Sequence, residues 1–155
     1  MENYVKILKS FVSDPIDYQK VEKEFDNLHD LPDKYIEHSN RLISKSDDFL
    51  WIGMVDLLIK YGYAFEVDWK EDCEVAEELL SKLFAKHNIQ YTSDITINQD
   101  MELDEYFSLV NKELIKQGSY RVYAMEIASD SYVVALGNID YFLNIVDLDA
   151  RVDLY

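Results

Sequence analysis

The sequence has few of the residues that build disulfide frameworks, flexible linkers and phosphate-binding loops. Its 155 residues include one cysteine, four glycines and two prolines. A single cysteine excludes a disulfide within the chain, and no glycine-rich phosphate loop is present. The scarcity of glycine and proline also leaves little room for a linker, so we predict one domain over residues 1–155.

Signals for export and membrane insertion are also missing. The N-terminal stretch Met1 to Tyr4 lacks the basic start and apolar run of a signal peptide. The longest apolar stretch, 49–59, is interrupted by Asp56 and is too short to span a bilayer. We therefore expect a soluble, cytoplasmic protein that does not bind membranes.

Basic residues are scarce relative to acids. Fifteen Lys and Arg face 31 Asp and Glu, which gives a net charge of −16. Acids outnumber bases in each of the segments 1–62, 63–101 and 102–155. Such a charge repels nucleic acid and attracts cations or a basic protein surface, although solubility alone would also explain it.

The sequence carries no motif of a metal site or a catalytic centre. The histidines His29, His38 and His87 are scattered, without the spacing of zinc ligands. We expect His87 at the C-terminal end of a helix, where a partly positive imidazole suits the helix dipole. Cys73 lies on the apolar face of a predicted helix, which favours a buried thiol over a nucleophile. We predict no cofactor and no bound metal, and a binding role rather than an enzyme.

Hydrophobic residues make up 48% of the chain, with 12 Tyr, 7 Phe and 2 Trp, as in a packed globule. Apolar residues spaced three and four apart predict seven helices. Five of them span 2–12, 32–45, 47–61, 71–87 and 102–117, and Ser46 is the predicted cap of the helix over 47–61. Two more begin at residues 15 and 137, and the last carries Ile139, Phe142, Leu143 and Val146. On the helix over 102–117 this spacing turns Leu114 and Ile115 inward. Alternating and β-branched stretches predict strands over 63–69 and 150–154 and a short extended piece at 95–97.

A hairpin over 119–136 is the predicted centre of the fold. Its turn falls at Ala128, Ser129 and Asp130, and its second arm, 132–136, is apolar on both faces. Such a strand is usually central and covered on both sides. The order of elements from residue 63 matches a ferredoxin-like split βαβ plan with an extra helix in the first crossover. We predict an α+β fold, in which a helical layer over 1–62 packs on a small antiparallel four-stranded sheet of a β-α-α-β-β-α-β unit over 63–155.

Two clusters of acids are candidate sites. Asp68, Trp69, Glu71 and Asp72 stand where a predicted strand leads into a helix, and Asp130 lies at the hairpin turn. Clustered carboxylates hold hard cations or act as acid and base. The structural alternative is that Glu71 and Asp72 stabilise the helix start, Trp69 packs, and Asp130 bonds its own backbone.

The same two stretches resemble an uncharacterised bacterial family of unknown function. Its members carry a DWKE stretch, here residues 68–71, and a later DSDSY hairpin, here within 127–133. The resemblance covers residues 50–155 and implies a fold but no activity. Ala128 stands where the family pattern has an acid, which argues against two carboxylates paired at the turn for a metal.

These observations leave three functional hypotheses. The first is a protein-binding module, such as an immunity or inhibitor protein, that covers a basic partner surface. The second is a carboxylate-based metal-dependent or hydrolytic site built from Asp68, Glu71, Asp72 and Asp130. The third is a housekeeping interaction domain without a charged partner. We rank them in that order.

Overall fold

The computed structural model describes residues 1–39, 41, 48–141 and 144–155. Its helices are α1 (Glu2–Phe11), α2 (Pro15–Asp30), α3 (Pro32–His38), α4 (Phe49–Lys60), α5 (Cys73–Lys86) and α6 (Leu103–Gln117). Its strands are β1 (Ala64–Asp68), β2 (Tyr120–Met125), β3 (Ser131–Asn138) and β4 (Val152–Leu154), with a 3₁₀ turn at Ile145–Asp147. The predicted α+β class, with a helical N-terminal half and a four-stranded antiparallel sheet, is confirmed.

Local capping explains where the N-terminal helices begin and end. The Asp14 carboxylate accepts hydrogen bonds from the backbone N–H groups of Ile16 and Asp17, at 2.8 and 2.9 Å, so α2 begins at its proline as predicted. Helix α4 is capped by Asp48, which accepts from the Trp51 N–H; the predicted cap Ser46 lies outside the described residues. Gly62, at φ 78°, ends that helix turn as predicted.

Strand β3 is the centre of the sheet, as the sequence predicts. The strand order is β1-β3-β2-β4, and β3 pairs antiparallel with both β1 and β2. Val133 and Ala135 point into one hydrophobic core, and Val134 and Leu136 point into the other. Residues 133–137 are all buried, because each face of the strand is covered by helices.

The two cores correspond to two helical layers. The first core lies between the sheet and α1, α2 and α4, so the N-terminal helices supply the cover that the apolar strand required. The second core lies between the other face of the sheet and α5 and α6. The buried amide of Asn111, on α6, donates to the backbone oxygens of Val122 and Tyr155 and accepts from the Val122 N–H. This side chain thereby joins α6 to β2 and to the C-terminal residue.

One inward position on α6 was predicted wrongly. Ile115 is 60% exposed, whereas Asn111 is buried. The spacing of Phe107, Asn111 and Leu114 defines the inward stripe, and Ile115 falls one residue beyond it. A buried asparagine is hidden from a search for apolar periodicity because its residue type is normally found at the surface.

The C-terminal part differs from the sequence expectation in two ways. Strand β4 lies beside β2, whereas the fourth strand of the ferredoxin-like plan lies beside the first. The predicted helix from residue 137 is wrong at its start, because Gly137 and Asn138 complete β3. The predicted helix residues Phe142 and Leu143 lie outside the described residues.

Packing explains why a glycine stands at position 137. A Cβ atom there would lie 2.8 Å from the Tyr123 ring and 2.9 Å from both Ile145 and Phe11. The backbone of β3 therefore approaches three side chains more closely than any other residue type would allow. The glycine is a close-packing position within a strand and does not mark a helix start.

Candidate functional site

The turn after β1 brings the two predicted candidate stretches together. Asp68 is paired with Ser131 at the end of the β1–β3 ladder, and the Trp69 N–H donates to the backbone oxygen of Asp130 at 3.4 Å. The Asp68 side chain accepts from the Lys70 N–H at 2.9 Å, and its backbone oxygen accepts from Glu71. The strand end and the hairpin turn thus form one backbone-bonded unit.

The hairpin turn is built by Ser129 rather than by Asp130. The Ser129 hydroxyl oxygen accepts from the Ser131 N–H at 3.2 Å, and Ala128 takes the left-handed φ of 54°. Asp130 contributes its backbone oxygen to the contact with Trp69, and its residue is exposed. Asp68 and Asp130 therefore have structural roles in the two turns.

A groove of about 690 Å³, here called the Trp69 groove, opens beside this unit. Trp69, which is 50% exposed, lines it, together with residues 70–75, 98, 99 and 101–103. Four exposed carboxylates line the groove: Glu71, Asp72, Glu74 and Glu102. Asp72 and Glu102 precede α5 and α6, and neither side chain makes a capping hydrogen bond. Their oxygens are therefore not engaged by the helix ends.

Cys73 lies on the floor of the Trp69 groove. It is buried, and its Sγ donates to the Met101 backbone oxygen at 3.2 Å. Burial raises the pKa of the thiol, and the neighbouring carboxylates Glu74, Asp72, Glu102 and Glu105 raise it further. The thiol form is thereby favoured over the nucleophilic thiolate.

A second groove, of about 330 Å³, lies on the other side of the start of α6 and is called the Tyr132 groove. Tyr132 and Tyr155 line it together with three exposed acids, Asp104, Glu126 and Asp153. The Tyr132 hydroxyl donates to Asp104 at 3.2 Å. The two grooves flank the start of α6, where Leu103 lines the first and Asp104 lines the second.

Together the grooves form what we call the acidic face. Its carboxylates are Glu71, Asp72, Glu74, Glu102, Asp104, Glu126 and Asp153, and Lys70 is the one base among the described residues that line it. Within the described part of the chain none of these seven carboxylates forms an ion pair. Several acids elsewhere do form close ion pairs, with Lys60 to Glu24, Lys86 to Asp17 and Arg151 to Asp149 at 2.6 to 2.7 Å.

A third cavity, of about 450 Å³, lies between α2, α3 and α4. Leu28, Leu31 and Leu57 make it apolar. Its rim carboxylates are already paired, Glu24 with Lys60 and Asp56 with Arg41. This cavity therefore lacks the unpaired carboxylates that line the acidic face.

The sequence predicted part of this site. Trp69, Glu71 and Asp72 line the Trp69 groove, whereas Asp68 and Asp130 do not line it. Glu74 was not among the predicted site residues, and Glu102, Asp104, Glu126 and Asp153 were missed because they are distant in sequence from the first cluster. No group of three or more His, Cys, Asp or Glu within the described ranges is arranged to hold a metal ion; the metal-dependent alternative stays a prediction.

In its architecture the protein is an α+β domain with two helical layers around one sheet and an acidic, aromatic-flanked face at one end of that sheet. No helix among the described residues has the length and apolar character needed to cross a bilayer. The chain belongs to the family described as a domain of unknown function, DUF6630, whose profile matches residues 3–154. This match confirms the resemblance to an uncharacterised family and extends it over the helical N-terminal half; the bacterial origin and the two family motifs stay predictions. Comparison with curated proteins and with solved structures gives no match.

Proposed function

We propose that this protein is a protein-binding module whose acidic face covers a basic surface of a partner protein, as immunity and inhibitor proteins do. The observation that carries the proposal is the concentration of seven exposed, unpaired carboxylates around the two grooves that flank the start of α6. Complementary charge accelerates association and selects against acidic competitors.

The aromatic side chains of the face support a specific contact as well as an electrostatic one. Trp69 is half exposed beside the carboxylates, and Tyr132 lines the second groove. Tryptophan and tyrosine are enriched among the residues that dominate binding energy at protein interfaces. A side chain of this kind inside a charged rim resembles the usual anatomy of an interface, with an apolar centre and a polar edge.

The turn that carries Trp69 is held in place before any partner arrives. Three hydrogen bonds donated by backbone N–H groups fix it, from Lys70 to the Asp68 carboxylate, from Glu71 to the Asp68 backbone oxygen and from Trp69 to the Asp130 backbone oxygen. Little conformational entropy is then lost when a partner binds, which preserves affinity.

The test compares three versions of the full chain as bait in a pull-down from native lysate. The face variant combines Asp72→Asn, Glu74→Gln and Glu102→Gln. The control variant removes the same number of exposed charges elsewhere, with Asp26→Asn, Glu37→Gln and Asp94→Asn. Retained proteins are quantified by mass spectrometry at low and at high salt.

The proposal expects one stoichiometric basic protein on the wild type and the control bait, with affinity for the face variant reduced roughly tenfold at low salt. High salt should release this protein from the wild-type and the control bait, because salt screens the attraction between exposed charges. Retention that is equal on the face variant and the control, or the retention of no basic protein by the wild type, would contradict the proposal.

A further inference from the structure

The cation nearest to the exposed indole of the acidic face belongs to the chain itself. The Lys70 ammonium lies 5.0 Å from the centroid of the Trp69 ring. This distance is within the range of a cation–π contact. The Trp69 ring therefore already contacts a cationic side chain in the unbound protein.

Lys70 has no other electrostatic partner within the described part of the chain. It is exposed and stands beside Glu71 and Asp72 in sequence, and the ion pairs of the structure do not include it. The backbone bond from its N–H to Asp68 fixes the main chain of the turn, while its long side chain keeps its rotamer freedom. A side chain held only by an exposed ring contact is easily displaced.

We infer that the partner anchors on this site through an arginine side chain, which stacks on the Trp69 indole in place of Lys70. The inference rests on the proposed function and specifies the partner's chemistry: a basic protein segment with arginine at its centre. Guanidinium is planar, weakly hydrated and suited to stacking on an aromatic ring while it donates to carboxylates at the edge. The carboxylates of Asp72 and Glu102, which make no capping bonds, line the same groove.

This arrangement makes Lys70 an intramolecular competitor. When a partner arginine stacks on the Trp69 ring, Lys70 moves into solvent. The loss of the Lys70–Trp69 contact lowers the net affinity for the partner. Lys70 also reduces the negative charge of the face by one. Removing the ammonium should therefore strengthen the binding of a basic ligand, whereas removing the indole should weaken it and abolish discrimination between arginine and lysine.

The experiment titrates nona-arginine and nona-lysine peptides, which carry equal side-chain charge, into the full-length chain. We expect the wild type to bind nona-arginine roughly twofold more tightly than nona-lysine, less than one whole exposed cation–π contact, because a lysine also contacts this ring, as Lys70 does. Trp69→Leu should remove that preference. Lys70→Met should tighten nona-arginine binding, and Lys23→Met, an equal charge change at an exposed site on α2, should tighten it less.

Tryptophan fluorescence supplies a second readout. Trp51 is 2% exposed and Trp69 is 50% exposed, so acrylamide quenching reports mainly on Trp69. Nona-arginine should protect this fluorescence from the quencher.

The outcomes separate the two proposals. Equal affinity of the wild type for the two peptides, with no effect of Trp69→Leu on their ratio, would overturn the arginine inference and leave electrostatic binding standing. Tightening of the same size by Lys70→Met and Lys23→Met would overturn the role of Lys70 as competitor. Absence of binding of either peptide at low salt would count against the acidic face as a binding surface, and with it against both proposals.

Discussion

Acidification should destabilise the fold through one buried histidine, His87. This residue ends α5, is 5% exposed, and has no hydrogen-bond partner for either ring nitrogen among the described residues. The rings of Tyr63 and Tyr120 stand edge-on to it, each with its centroid 5.3 Å away. Burial, and to a lesser extent the neighbouring Lys86, lowers the pKa of His87 from 6.5 to about 4. The imidazole is therefore neutral at pH 7, and the expectation of a partly positive ring at the helix end was wrong.

The direction and size of the effect follow from this pKa. The unfolded chain binds the proton more tightly than the folded chain, so stability is fully present above about pH 6.5 and is lost as the pH falls toward about 4. The difference between the two pKa values corresponds to about 3 kcal/mol of unfolding free energy. About 2 kcal/mol of this should be lost between about pH 7 and about pH 4.5.

The measurement is urea denaturation across this pH range for the wild type and for His87→Phe, which keeps an aromatic ring between Tyr63 and Tyr120 without a titratable group. Carboxylates with lowered pKa values, such as those of Asp17 and Asp149, also lose stabilisation in acid, but they do so in both chains and cancel in the comparison. The variant should gain about 2 kcal/mol relative to the wild type on acidification. Parallel stability curves for the two chains would refute the reasoning.

Three further substitutions test the packing and capping described above, each by chemical denaturation. Asn111→Ala should cost about 3 kcal/mol, because it leaves the buried N–H of Val122 without its amide partner, while the Val122 carbonyl keeps only a 3.4 Å bond from the Tyr155 N–H; a loss below about 1 kcal/mol would show that water replaces the amide. Gly137→Ala should cost about 1 to 3 kcal/mol, since its Cβ would contact three side chains at under 3 Å, and an unchanged stability would show that these side chains move aside. Asp14→Ala should cost about 1 kcal/mol by removing the cap of α2, whereas Asp14→Asn, which keeps an acceptor oxygen, should cost much less.

The central strand of the sheet was predictable because a strand that is buried on both faces has a continuous run of apolar residues. Residues 132–136 are apolar without alternation, and the structure places their side chains in two separate cores. No comparable sequence pattern predicted that β4 pairs with β2, since a strand of three residues has too few positions to specify its neighbour. The predicted last helix failed for a related reason. Helical spacing after Gly137 is visible in the sequence. The close approach of Phe11, Tyr123 and Ile145 to the Gly137 backbone depends on the tertiary structure and is not visible there.

The site was predictable only in its first half. Trp69, Glu71 and Asp72 are consecutive or nearly so, and a strand followed by an acidic helix start marks them. Glu102 and Asp104 lie about thirty residues later and join the first group only because α5 and α6 pack side by side on the same face of the sheet. Acids at a second helix start were visible in the sequence, but nothing there showed that the two helix starts converge.

The distribution of charge argues for a binding function over solubility as the reason for the acidic composition. Solubility depends on net charge and is indifferent to where acids stand or whether they are paired. In this chain Arg41, Lys60, Lys86 and Arg151 pair with acids on or beside the layer of α1, α2 and α4. The acids around Trp69 are unpaired within the described residues, although helix starts tolerate them through the dipole. Seven unpaired carboxylates thus surround two grooves beside an exposed indole, a grouping that solubility does not require and that supports the proposed recognition of a basic surface.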